Sequence, residues 1–132
     1  MKKLLIIITF FLLNISFSQI ASDSVNKKIF IYGGGLNLKF LKYTAQLTGK
    51  IRPKICFIPT ASGDNSNVIK RWYKLCDSVD IQPHVLRVWI NSRTQKESWQ
   101  EILSKMDAVI VGGGNTLNMI AIWKAQEIDK AL

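Results

Sequence analysis

An α/β fold, with a parallel sheet in a three-layer sandwich, is predicted by three observations. Short apolar β-prone runs alternate with helix-period segments in a β-α-β-α-β-α-β-α rhythm. The strand runs lack strict in/out alternation, as strands covered on both faces do. Two of them, "IFIYGGG" and "AVIVGGG", end in three glycines just before a helical pattern. In parallel α/β folds such carboxyl ends of strands are where ligands sit.

The first 18 residues read as a secretory leader. Lys2 and Lys3 precede the apolar run from Leu4 to Leu13, and Ser16 and Ser18 place small residues before a cut near Ser18–Gln19. The run falls short of the about 20 residues of a membrane span; a buried strand or an uncleaved anchor are the competing readings. Cleavage would leave residues 19–132 as part of a single α/β domain, exported to the periplasm or the exterior, with no stable membrane span.

The elements follow in order. Ile29 to Tyr32 is the first strand, and Leu36, Phe40, Tyr43 and Leu47 then recur at helical spacing, with Gly49 a C-cap candidate. Lys54 to Pro59 is the second strand. The polar loop "TASGDNS" follows, where Asp64 or Ser66 could cap a helix whose Val68, Trp72, Leu75, Cys76 and Val79 share a face. Pro83 precedes a third strand, His84 to Ile90. A short helix turns Trp99, Ile102, Leu103 and Met106 inward, Asp107 to Val111 is the fourth strand, and one helix is expected over residues 117–132. Asn115 or Thr116 can cap it.

The formal net charge of +9 becomes +7 once the leader, with Lys2 and Lys3 and no acid, is removed. In the remaining chain no basic run exceeds two residues and none is interleaved with aromatics. A solvated basic surface is therefore expected rather than a nucleic-acid partner. Cys56 and Cys76 both lie on apolar faces. Packing is one reading and a disulfide in an exported chain the other. Neither has the spacing of a metal site.

Three loops are placed to bind: Gly33 to Gly35, Thr60 to Ser66, and Gly112 to Thr116. A strand–glycine–helix junction offers free N–H groups to negative charge. A dinucleotide site needs G-x-G-x-x-G and an acid closing the second strand, and "GGGLNL" followed later by Pro59-Thr60 has neither. A P-loop needs G-x-x-x-x-G-K-[ST], and "GGGNTLNM" lacks the lysine. An oxyanion hole remains, since glycine lets backbone donors approach a carbonyl closely. A plain tight turn with capping residues is the alternative.

"VGGGNTLNMIAIWK" resembles the GGGNT segment of the peptidase E family, the serine peptidases that include cyanophycinase. "ICFIPTASGD" and "IFIYGGG" resemble that family's second and first strand segments, in the same order, across most of residues 28–132. The resemblance implies a fold like that of class I glutamine amidotransferases and a Ser–His–acid mechanism without metal or cofactor. It implies small peptides with an N-terminal aspartate, or aspartate-rich polymers, as substrates. It makes Gly114, then Gly113, the backbone oxyanion donors. Gly112, Asn115, Thr116, Gly34, Gly35 and Ser62 would line the substrate site. The family's nucleophile sits in a G-x-S-A-G elbow beyond this helix, and no G-x-S-x-G occurs in residues 1–132. The expectation is thus a fragment truncated before its nucleophile, inactive alone and able to dimerise through an open sheet edge. Ser62 lacks the strained elbow, the single histidine, His84, and Asp107 are expected at the far end of the sheet, and Asp64 has no base beside it. A non-enzymatic module holding a small anion at its glycine loops is the competing function; a nucleotide-dependent enzyme is disfavoured by the missing acid and lysine.

Overall fold

The computed structural model describes residues 27–89 and 96–132. The expected leader, its cleavage point and Ile90 at the end of the expected third strand lie outside them. The described elements are α1 (Leu38–Leu47), β1 (Lys54–Ile58), a 3-10 turn (Thr60–Ser62), α2 (Ser66–Cys76), β2 (Gln82–Val85), α3 (Trp99–Ser104), β3 (Ala108–Val111), α4 (Thr116–Ala125) and α5 (Ile128–Ala131).

All pairing among the described strands is parallel, in the order β2-β1-β3. Cys56 stands opposite His84 and Val109, and Ile58 opposite Val111. Alternate side chains of β1 enter two cores. Cys56 and Ile58 meet Leu86, Val88, Leu103, Met119, Trp123 and Ile128 under α3, α4 and α5. Ile55 and Phe57 meet Leu41, Trp72, Cys76, Ile81 and Ile110 under α1 and α2. This is a helix–sheet–helix sandwich, so the α/β class and its parallel sheet are as expected. Trp72 stacks on Phe57 at 5.2 Å between ring centroids, and each such fully buried large side chain stabilises the domain by about 1.5–3 kcal/mol. The two cysteines are free and buried in different cores on opposite sheet faces, which removes the disulfide alternative.

Five local expectations are corrected. The run Ile29–Tyr32 is not a strand: β1 already pairs on both edges, and Ile29 and Ile31 are 90% and 87% exposed. Its alternate residues Phe30 and Tyr32 lie instead on Phe40 and Tyr43 of α1. Phe40 and Tyr43 of the expected stripe accordingly serve that ring cluster, while Leu36, Leu41 and Ala45 face the core. The strand expected from His84 begins at Gln82 and ends at Val85, so Pro83 lies within it. β2 is an edge strand, where a missing N–H is tolerated. α2 is capped by Asn65, whose side chain accepts from the Asn67 and Val68 N–H groups, and not by Asp64 or Ser66. The final helix breaks at Glu127, which takes a left-handed conformation (φ 59°) and divides α4 from α5.

Other signals hold. Gly49 follows the Thr48 cap of α1 with φ 70°, its N–H on the Gln46 carbonyl. The structure adds a capping box that the sequence reading did not single out, Ser98 with Glu101 on α3, the reciprocal arrangement that satisfies two orphan N–H groups. Among the described residues no helix is long and apolar enough to cross a membrane.

Candidate functional site

The topology fixes where a site can form. The chain leaves β1 toward α2 on one sheet face and leaves β3 toward α4 on the other. Neighbouring strands whose carboxyl ends diverge in this way open a crevice between them. The loop of residues 59–65 and the loop of residues 112–115 are the two lips of that crevice.

The lips are fastened by main chain. Gly112 N–H donates to the Ile58 carbonyl at 3.0 Å, the last rung of the ladder, and Asn115 N–H donates to the Ala61 carbonyl at 2.8 Å. Between these anchors Gly114 takes φ 145°, a conformation that disfavours any side chain, and a Cβ on it would lie 2.2 Å from the Ala61 oxygen. A Cβ on Gly112 would meet the Phe57 ring at 3.0 Å. Gly113 is open on all sides. The three glycines thus answer to three conditions: ring contact, exposure and backbone contact. Below them, the Trp123 indole N–H donates to the Thr60 hydroxyl at 3.2 Å in the buried core, locking α4 to the other lip.

The result is a row of backbone donors. The N–H groups of Gly113, Gly114, Thr116 and Leu117 have no acceptor among the described residues. Asn115 caps α4, its side chain accepting from Asn118 N–H at 3.0 Å, as the sequence suggested. Gly113 and Gly114 therefore present adjacent free donors at the mouth of the crevice, where the helix dipole adds positive potential.

The 59–65 lip is a tight structure. Ser62, Gly63 and Asp64 N–H groups fold back on the Pro59 and Thr60 carbonyls. The Ser62 hydroxyl donates to the Pro59 carbonyl at 2.8 Å, which ties it to the loop's own backbone; it is a loop-shaping residue. Asp64 is 3% exposed and left-handed (φ 53°), and its Oδ2 accepts from Trp89 N–H at 2.8 Å. Its Oδ1 is buried with no hydrogen-bond partner among the described residues.

The other sequence candidates fall elsewhere. No hydrogen bond of the described residues joins Gly33, Gly34 or Gly35 to either lip, and Gly34 and Gly35 have open space around them. His84 is exposed on edge strand β2, opposite Cys56 and one position before the last pair of the ladder, so it does not lie at the expected far end of the sheet. Asp107 stands at the amino end of β3 with Lys50 and the Lys54 N–H. The Lys50 hydrogen bond holds its carboxyl below the usual range, against desolvation. Burial pushes the thiols up, Cys56 to about 11 and Cys76 to about 12, so neither is poised as a nucleophile. The described residues hold no cluster of His, Cys, Asp or Glu able to bind a metal. Two contributors escaped sequence reading: the Ala61 carbonyl that anchors the glycine lip, and the Asp64–Trp89 bond. Main-chain acceptors carry no sequence signal; the "SGD" turn was a faint one for Asp64.

The profile of Peptidase family S51 matches residues 29–132. A relative described as an uncharacterized peptidase, YgaJ of Bacillus subtilis (strain 168), is 34% identical over 112 residues, covering 80% of this chain and 47% of the relative. The chain spans about half the length of that curated relative. No solved structure matches it. The matched span contains both lips and all three described strands, and the chain belongs to peptidase family S51.

Proposed function

We propose that this chain is the N-terminal part of an exported serine peptidase that hydrolyses small acidic peptides, and that its glycine lip supplies the oxyanion donors. One observation carries the reading: Gly113 and Gly114 hold two adjacent N–H groups, with no acceptor among the described residues, at the switch-point crevice, fixed by anchors on either side. In acyl transfer a hydroxyl oxygen attacks the scissile carbonyl, and the carbonyl oxygen gains negative charge. Donors already in place stabilise that charge without reorganising, and removing one costs on the order of 10²–10³ in kcat.

In this reading the serine, its histidine and its acid lie outside residues 1–132, which contain no G-x-S-x-G. Asn115 and Thr116 shape the lip, Gly112 sets its depth, and no cofactor or metal takes part. A basic chain favours acidic substrates through its overall field. Export follows from the leader; the amino-terminal sequence of the secreted protein should begin at Gln19, and an intact Met1 on it would refute cleavage.

The test is to read the frame beyond the Leu132 codon and assay the encoded protein on Asp-Leu. A G-x-S-x-G elbow and measurable hydrolysis are expected, with Gly113→Pro slowing turnover by about 10²–10³. A frame without the elbow, or an unchanged rate in the proline variant, would overturn the proposal. Binding of free carboxylates without turnover would then favour an anion-binding module.

A further inference from the structure

Charge is divided unevenly between the two sides of the sandwich. Residues 27–76 hold ten Lys and Arg and one acid, the buried Asp64, whereas residues 77–132 hold six basic and seven acidic residues. The helices carry the division. α1 and α2, which cover one sheet face, bear Lys39, Lys42, Lys70, Arg71 and Lys74, all exposed, and no acid. None of these five is in an ion pair among the described residues. The acids nearest in sequence, Asp77 and Asp80, lie beyond the carboxyl end of α2. On the other face α3, α4 and α5 bear Glu101, Lys124, Asp129 and Lys130, whose charges cancel. Charge of one sign gathered on one side repels itself, and an anionic partner relieves that repulsion.

The same side displays apolar groups. Leu41 turns α1 to the core, and Tyr43, two residues on, stands about 200° round the helix from it. Phe30 lies on Phe40 and Tyr43 at 5.8 and 4.8 Å between ring centroids, and Tyr32 on Phe40 at 4.8 Å. Lys28 Nζ donates to the Leu47 carbonyl at 2.9 Å. The chain from Lys28 to Tyr32 therefore runs back along the outer side of α1. Phe30 and Tyr32 meet the helix, and the alternate Ile29 and Ile31 stand out in solvent. A cleft of about 790 Å³ opens there, walled by Phe30, Leu38, Phe40 and Tyr43, with Lys39 and Lys42 also in its lining.

We infer that the α1–α2 side is a docking surface for an anionic lipid bilayer. Its basic side chains meet headgroup phosphates, while Ile29 and Ile31 enter the boundary between headgroups and acyl chains. Each Lys or Arg near such a surface contributes roughly fivefold in affinity, and the buried aliphatic groups add to it. Attachment of this kind needs no membrane-crossing helix. Nucleic acid fits the surface less well, because isoleucine offers a base neither a stacking face nor a hydrogen bond. The inference does not depend on the peptidase reading, and it concerns where the protein is held rather than what it cleaves.

Sedimentation with lipid vesicles tests this on residues 19–132, which contain both cores and omit the Leu4–Leu13 run that would itself bind lipid. Vesicles of phosphatidylglycerol and phosphatidylcholine in equal parts are expected to bind the protein about tenfold or more tightly than phosphatidylcholine alone, with the preference falling as salt is added. Lys39→Glu with Lys70→Glu, one on each helix, is expected to weaken binding by about tenfold or more. Lys96→Glu with Lys124→Glu makes the same change in net charge away from α1 and α2 and should stay within about threefold of the parent. Ile29→Ser with Ile31→Ser should weaken binding about tenfold. All six side chains are exposed, so each variant should melt at the parent's temperature. No preference for the anionic vesicles overturns the inference, as do equal losses from the two charge-reversed pairs. So does an isoleucine pair variant that binds vesicles like the parent, because the surface is then a general polyanion binder, nucleic acid included.

Discussion

Two junctions in this chain are written in nearly the same words, "IFIYGGGLNL" and "AVIVGGGNTL", and the fold uses them differently. Each is a β-prone run, three glycines and a helix capped by asparagine. Asn37 accepts from Phe40 N–H at 3.1 Å, and Asn115 from Asn118 N–H at 3.0 Å. There the likeness ends. The second run is strand β3, its glycines pressed on Phe57 and Ala61. The first run pairs with no described strand, and a Cβ on any of its glycines would meet nothing within 4 Å. Local sequence sets the cap and the turn. The tertiary partner decides whether the turn becomes a site.

The sharpest way to break that contrast is a methyl group on each junction. Gly114→Ala forces a side chain into φ 145° and onto the Ala61 carbonyl. Overpacking and backbone strain together should cost about 3 kcal/mol. Gly34→Ala meets open space and only the conformational penalty of φ 77°, about 1 kcal/mol. Urea unfolding of the two variants measures the difference. Equal losses would mean that the first junction is as tightly held as the second.

The contrast also explains what was legible in the sequence. Helix stripes, caps at Asn115 and Gly49, and the parallel α/β class rest on periodicity and on local chemistry, which short stretches carry in full. The expected first strand failed because "IFIY" is as apolar as "AVIV", and pairing depends on which edge is vacant. For the same reason Gly34 and Gly35 share the letters of the glycine lip without sharing its contacts. Asn65 displaced Asp64 as the cap of α2 because Asp64 is turned inward toward Trp89, a contact 25 residues away in sequence that no local pattern reveals. The glycine lip itself was found from its own letters, but its anchor, Ala61, was not.

The next test acts where the two units meet at their far ends. Lys50 follows α1, Asp107 opens β3, and the two form an ion pair, with the Lys54 N–H on the other carboxylate oxygen at 2.8 Å. The Asp107 carboxyl is lower in the folded chain than its ordinary value. Such a group contributes stability that is complete above the unfolded value near 3.9 and is lost as pH falls through the folded value. Asp107→Asn should cost about 1 kcal/mol at pH 7, since Lys50 is mostly exposed and its share is screened. It should also flatten the decline in melting temperature below about pH 4. An unchanged acid limb would remove Asp107 from that account.

Capping should show the two junctions at their most alike. Asn115→Ala and Asn37→Ala should each lower stability by about 1 kcal/mol, because both side chains make the same bond to the same kind of helix. In urea unfolding the two losses should agree within about 0.5 kcal/mol. A near-zero loss for Asn37→Ala alone would extend the looseness of the first junction from its strand into its helix.

The cysteines provide the smallest and most local probe, one in each core. Cys76 lies in the core that includes Leu41 of α1, and Cys56 in the core beneath α4. With thiols pushed up to about 11 for Cys56 and about 12 for Cys76, native thiolate at pH 8 is on the order of one part in a thousand or less. Labelling at that pH therefore requires opening of the core and reports how often each side opens. The unit headed by the first junction leaves Ile29 and Ile31 in solvent and covers its core through α1, whereas α4 is tied down by Trp123, Asn115 and Gly112. Cys76 should thus react several-fold faster than Cys56 when each is followed in the other's serine variant. Gly114→Ala should accelerate Cys56 selectively, because it loosens the lip above that core alone. If both thiols react at one rate, and that rate tracks global unfolding, the two sides open together and the difference between the junctions stops at the surface.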